Sequence, residues 1–224
     1  MIKIGNTHLL KLAWLFLMPA LLFSQKAKNN WHLYKNENGI SVYTRFIDNS
    51  SYKEIKVEFS MKTSLNSCVA LIYDWDAYPA WNYKCIESKT LKKISDKEVI
   101  HYQVTDIPWP VKDEDFIIKV SLEQDPTTKI VKIKSVNMPN YIPPFEDKSR
   151  ITSMYGLWTL TPNKDGTVHL IYEFNVKPDE SIPVVLVNMA VALGPYETIS
   201  AFRTWLQKDT YQKTKLHIVK ELTE

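Results

Sequence analysis

Residues 181–208 read SIPVVLVNMAVALGPYETISAFRTWLQK, and the way this stretch folds decides the architecture of the chain. Pro183 suits the first turn of a helix, where its missing N–H is not needed. Ile182, Leu186, Met189, Ala190 and Leu193 recur at helical spacing and form an apolar stripe. Gly194-Pro195 falls in the middle, where a proline costs roughly 3 kcal/mol in an uninterrupted helix. A kink there, or two abutting helices, is expected. A long helix with one apolar face must bury that face against something.

The preceding chain supplies the partner. Around Asn38-Gly39, apolar-alternating runs predict a hairpin, because Asn-Gly accepts the left-handed backbone of a tight turn. Ile55, Val57 and Phe59 alternate with Glu54, Lys56 and Glu58, the pattern of a half-buried strand. Thr63-Ser64 then precede Leu65, Cys68, Val69, Leu71 and Ile72, which predicts a short capped helix. An aromatic stretch follows at 73–81, with Pro79 as breaker. Further strands are expected at 99–104, 115–122 and 129–136. The segment 138–146 is a Pro-rich loop, and 150–160 with 167–176 form a hairpin around Asn163-Lys164-Asp165-Gly166. The fold class that follows is α+β: a curved antiparallel sheet wrapped around one long C-terminal α-helix.

Composition narrows the function. The 224 residues carry 28 basic and 25 acidic side chains, a formal charge of +3, which gives no electrostatic claim on nucleic acid. Two cysteines are too few for a disulfide framework; Cys68 and Cys85 are either bridged or buried thiols. Aromatics make up 12%, including 7 Trp and 12 Tyr, so there is much ring surface to place.

Residues 1–24 read as a separate object. Lys3 and Lys11 give a basic start, and 12–23 are apolar but too short for an ordinary membrane span. This is the pattern of an export signal, with residues 25–224 as the working domain in a periplasmic or secreted location. Without Lys3 and Lys11 the formal charge falls to +1.

Five segments stand in order along the chain: GISVYTR at 39–45, DAYPAWN at 76–82, PWPVKDEDF at 108–116, Arg150–Leu160 with its YGLW at 155–158, and IPVVLVN at 182–188. Together they resemble the START family of lipid-transfer domains, within the helix-grip superfamily. The resemblance implies an apolar tunnel under a C-terminal lid helix, holding a single lipid-like molecule. This chain departs from the family in two places. Glu114 stands where the family commonly has Arg, and Asp179-Glu180-Ser181 intervene where the family often has Gly before the lid.

The expected function is therefore non-enzymatic: a monomeric lipid-binding protein, without cofactor or metal, that touches membranes transiently and has no nucleic-acid partner. The alternative is a helix-grip enzyme of cyclase or hydratase type using the same cavity. Inward parity and the lid stripe nominate Trp81, Tyr102, Phe116, Ile118, Tyr155, Phe174, Leu186, Met189, Ala190 and Leu193 as ligand-binding walls; any one of them alone reads more readily as ordinary core, and the nomination rests on the set. Arg150 either forks onto a ligand head group or pairs with Asp113, Glu114 or Asp115. Trp109, between two prolines, is a wall or a loop anchor. The 138–145 loop rests on a membrane or packs as a surface loop, the latter slightly favoured. His101 and His169 share the polar parity of their strands and are expected to be exposed.

Overall fold

The computed structural model describes residues 30–46, 53–177, 182 and 184–222, with the side chains of 184–186 and 188–192 excepted. Residues 1–24, expected to be an export signal, lie outside the described residues. Among the described residues, ten strands form one sheet. β1 (His32–Glu37) and β2 (Ile40–Phe46) make the first hairpin, with Asn38 and Gly39 at φ 51° and 73° as the turn requires. β3 is Lys53–Lys62, and its alternation holds: Ile55, Val57 and Phe59 are buried.

α1 (Leu65–Ile72) starts where Ser64 Oγ accepts a hydrogen bond from Ser67 N at 3.0 Å. The carboxylate of Glu221 also accepts from Leu65 N and Asn66 N, so the C-terminal tail places an anion at the positive end of this helix. A 3-10 turn at Trp75–Ala77 and the one-turn α2 (Tyr78–Trp81) lead into β4 (Cys85–Lys93). The sequence did not foretell β4. It is an edge strand with two register shifts, and Lys89, Lys92 and Lys93 replace the apolar alternation.

β5 (Glu98–Thr105), β6 (Glu114–Gln124), β7 (Val131–Asn137), the two-residue β8 (Ser149–Arg150), β9 (Ser153–Pro162) and β10 (Thr167–Lys177) complete the sheet. Its order is β1-β2-β3-β10-β9-β7-β6-β5-β4, with β8 parallel to β6. All other pairings are antiparallel. α3 (Val184–Leu206) is one helix that runs through Pro195, followed by the short α4 (Asp209–Gln212). The helices cover the concave face, as the apolar stripe demanded.

The core lies between them. Ile199, Phe202 and Leu206 of α3 are fully buried together with Leu65, Val69 and Leu71 of α1 and Val57 and Leu170 of the sheet. Cys68 and Cys85 are buried free thiols, and burial pushes both up in pKa. On the convex side a smaller cluster of Ile100, Tyr102, Val104 and Ile117 is roofed by Met138 and Ile142.

Candidate functional site

The long α3 does not press against the whole sheet. Between its first half and the concave strands lies a cavity of about 600 Å³. This is the size of a site for one small organic molecule. Cross-strand register determines its walls. On β6, Glu114, Phe116, Ile118 and Val120 point inward, and their neighbours on β5 are Thr105, Gln103, His101 and Val99. From the other side come Ile55 of β3, Met154 and Trp158 of β9, and Tyr172, Phe174 and Val176 of β10.

Aromatic rings join these walls in a continuous chain. Phe174, Tyr172 and Trp158 stack at 4.9 and 4.3 Å, and Trp158 stacks on Phe202 at 5.4 Å. Phe202 meets Trp81 edge-on, and Trp81, Tyr78, Trp75 and His101 follow in turn. Offset and edge-to-face pairs of this kind stabilise beyond simple burial. The rings thus make a stiff floor that keeps its shape under the cavity. Burial pushes the Tyr172 phenol up to about 12 and Tyr78 well above the ordinary range, so both stay neutral.

The polar lining is grouped. Gln103 and Glu114 are 5% and 6% exposed, and Thr105 pairs directly across from Glu114. Asn82 Nδ2 stands 3.5 Å from Gln103 Oε1. At the rim, Lys84 Nζ donates to Asp106 Oδ2 at 2.6 Å. Tyr83 N donates to Thr198 Oγ1 at 3.1 Å, which ties the α2–β4 turn to α3. Gly194 permits that approach, because a Cβ there would stand 3.1 Å from the Tyr83 ring. Among the described residues no group of three ligating side chains is placed to hold a metal.

Of the walls expected from sequence, Trp81, Phe116, Ile118 and Phe174 line the cavity. Tyr102 and Tyr155 do not. The apolar face of β5 is the convex one, and Tyr102 belongs to it, in the cluster under the 138–145 loop. Tyr155 lies between the inward Met154 and Gly156 and so points outward, beneath Lys134 Nζ at 5.9 Å. Leu193 is 44% exposed and stands off the cavity. The side chains of Leu186, Met189 and Ala190 lie outside the described residues.

Arg150 is not in the cavity either. Its Nε and Nη2 fork onto both oxygens of Asp115 at 2.8 and 2.9 Å, and Nη1 donates to the carbonyls of Pro139 and Ile142. It fastens the 138–145 loop to the convex face. His101 is likewise misplaced by parity: it is fully buried, on the concave side, with its ring stacked on Trp75 at 4.3 Å. Trp109 is 91% exposed, and is not a wall. The polar set of Asn82, Gln103 and Thr105 went unforeseen: the β5–β6 register shows that Gln103 and Thr105 face inward, and Asn82 is brought to them by the end of α2. Glu114, two residues before Phe116, was legible from strand parity.

A STAR-related lipid transfer protein from Xanthomonas axonopodis, solved as a fragment, superposes with a TM-score of 0.73 at 31% identity, over 80% of this chain and 99% of that one. Human STARD10 superposes with a TM-score of 0.69 at 18% identity, over 84% and 78%, a likeness of fold. An uncharacterized protein of Pseudomonas aeruginosa is 29% identical over 80% of this chain and 88% of its own length. The START domain model matches residues 21–213. With a helix-gripping sheet, a mainly apolar cavity beneath the helix and a family match over most of its length, the chain belongs to the START domain family.

Proposed function

We propose that this protein shelters one hydrophobic, lipid-like molecule in its cavity and carries it between membranes without altering it. The cavity of about 600 Å³, walled mainly by aromatic and aliphatic side chains, carries the reading. Burying apolar ligand surface there is worth roughly 25 cal/mol per Å², which suits a molecule that water rejects. The lipid-transfer protein of Xanthomonas supports the same assignment. Residues 1–24 would act as an export signal, which places the carrier in a periplasmic or secreted compartment; amino-terminal sequencing of the exported protein checks the cut.

The test is native mass spectrometry of the purified protein, with organic extraction and a panel of lipids. Saturable uptake of one molecule per chain is expected. A protein that stays empty across the panel overturns the reading, and a ligand released chemically changed favours a cyclase- or hydratase-like enzyme. Val187 is the wall residue of α3 best suited to a blocking change, since it borders the cavity and is only half-buried. Val187→Trp should cut affinity at least about tenfold, a change of about 1.4 kcal/mol, while the melting temperature is kept.

A further inference from the structure

We propose that the hydroxyls of Tyr172 and Ser135 form a subsite in the cavity for one uncharged oxygen of the ligand, a hydroxyl or a carbonyl, on an otherwise apolar molecule. This rests on the container reading above and specifies its cargo. Both residues line the cavity, on β10 and β7 in the middle of the sheet. Gly156 of β9 lies between them. A Cβ placed there would stand 3.5 Å from the Tyr172 hydroxyl and 3.5 Å from Ser135 Cβ. The glycine therefore leaves open the space that the two side chains flank.

A buried tyrosine hydroxyl ordinarily finds a hydrogen-bond partner. Neither the Tyr172 nor the Ser135 hydroxyl has one among the described residues. Burial alone raises the Tyr172 pKa, with no hydrogen bond or neighbouring charge contributing, so the phenol is neutral and keeps its proton to donate. Its ring is stacked between Trp158 at 4.3 Å and Phe174 at 4.9 Å, which holds the hydroxyl in place.

The surroundings select against charge. The cross-strand neighbours of Tyr172 are Val57 and Trp158, and those of Ser135 are Val120 and Gly156. The charged side chains of the lining stand elsewhere: Lys53 starts β3, Glu114 starts β6, and Lys84 pairs with Asp106 at the rim. A carboxylate or an ammonium brought to this spot would lie away from water without a counter-charge. A neutral oxygen meets no such cost. Each hydroxyl can donate or accept, so a ligand hydroxyl and a ligand carbonyl are both served.

Hexadecanol and hexadecane share one chain, and only the alcohol carries an oxygen. Their binding can be followed by the fluorescence of Trp81 and Trp158, which border the cavity. Tyr172→Phe keeps the stacked ring and removes its hydroxyl, and Ser135→Ala removes the other. Each should weaken hexadecanol binding about fivefold, as the loss of one hydrogen bond predicts, and change hexadecane binding by less than about twofold. Both variants, when empty, should resist urea as well as the parent does, since neither hydroxyl has a partner in the chain to lose. Alcohol binding that either substitution leaves unchanged would overturn this proposal and leave the container reading standing. So would an equal loss for alcohol and alkane, or an empty variant markedly less stable than the parent. No saturable binding of either probe would overturn both.

Discussion

His101 shows how a single residue in the cavity floor sets the response to acid. Its ring is fully buried against Trp75, and burial pushes its pKa down to about 3 from the ordinary 6.5. An unfolded chain therefore takes up a proton below about pH 6.5 that the folded chain refuses until about pH 3. The stability tied to a neutral His101 is complete above that window and declines as pH falls through it. At roughly 1.4 kcal/mol per unit, the loss reaches about 3 kcal/mol by pH 4. His101→Gln removes the titration. Urea unfolding at neutral pH and at mild acid should show the variant losing less stability than the parent by about that amount. Equal losses would mean that some other group governs the acid response. Residue type and strand position in the sequence suggested exposure here, because polar parity was taken as outward. The concave face of β5 is in fact its polar one, carrying His101 and Gln103, and the apolar Ile100, Tyr102 and Val104 face away.

At the scale of elements, that inversion has a structural cause in the 138–145 loop. The convex face of β5 can be apolar only because this loop covers it, and Arg150 holds the loop down. The Arg150–Asp115 pair is almost wholly buried, with side chains 7% and 0% exposed. Removing one member of such a pair leaves an uncompensated charge and typically costs about 3–5 kcal/mol. Arg150→Ala should destabilise the protein by that order in urea unfolding and raise amide exchange across 138–145. Normal protection of the loop in the variant would show that Met138 and Ile142 hold it unaided. Most elements were legible beforehand because each has its own local signal: Asn-Gly for the first hairpin, strict alternation in β3, Thr63-Ser64 ahead of α1. The edge strand β4 has no such signal. The side of β5 that meets the cavity is not a local property at all, since it depends on what another segment covers. The long C-terminal helix is there as α3, and because it continues through Gly194-Pro195 the alternative of two abutting helices does not hold.

For the molecule as a whole, the order of elements was enough to call for a sheet gripping a helix, and part of the 12% aromatic content forms the ring chain along the cavity floor. If the protein carries its ligand between membranes as proposed, its membrane contact would be made by other means than bulk charge, which is only +3 over the full chain. Trp109 offers one. It is 91% exposed, and the next residues back along the chain, Pro108 and Ile107, border the cavity. Tyr141 and Phe145, 38% and 43% exposed, belong to the neighbouring loop, which Lys112 Nζ joins by donating to the carbonyl of Glu146 at 2.7 Å. Tryptophan settles at the boundary of headgroups and acyl chains, where its apolar body and N–H are both satisfied. A carrier that docks through Trp109 would bring its cavity rim to the bilayer surface. Trp109→Ala should then lower co-sedimentation with phosphatidylcholine vesicles and slow transfer between vesicles several-fold, while affinity for ligand in solution is unchanged. Because the contact is apolar, added salt should leave vesicle binding nearly constant, whereas a charge-driven contact would weaken as the Debye length shrinks. Unaltered vesicle binding by the variant, or a steep loss with salt in the parent, would move the docking surface away from this loop.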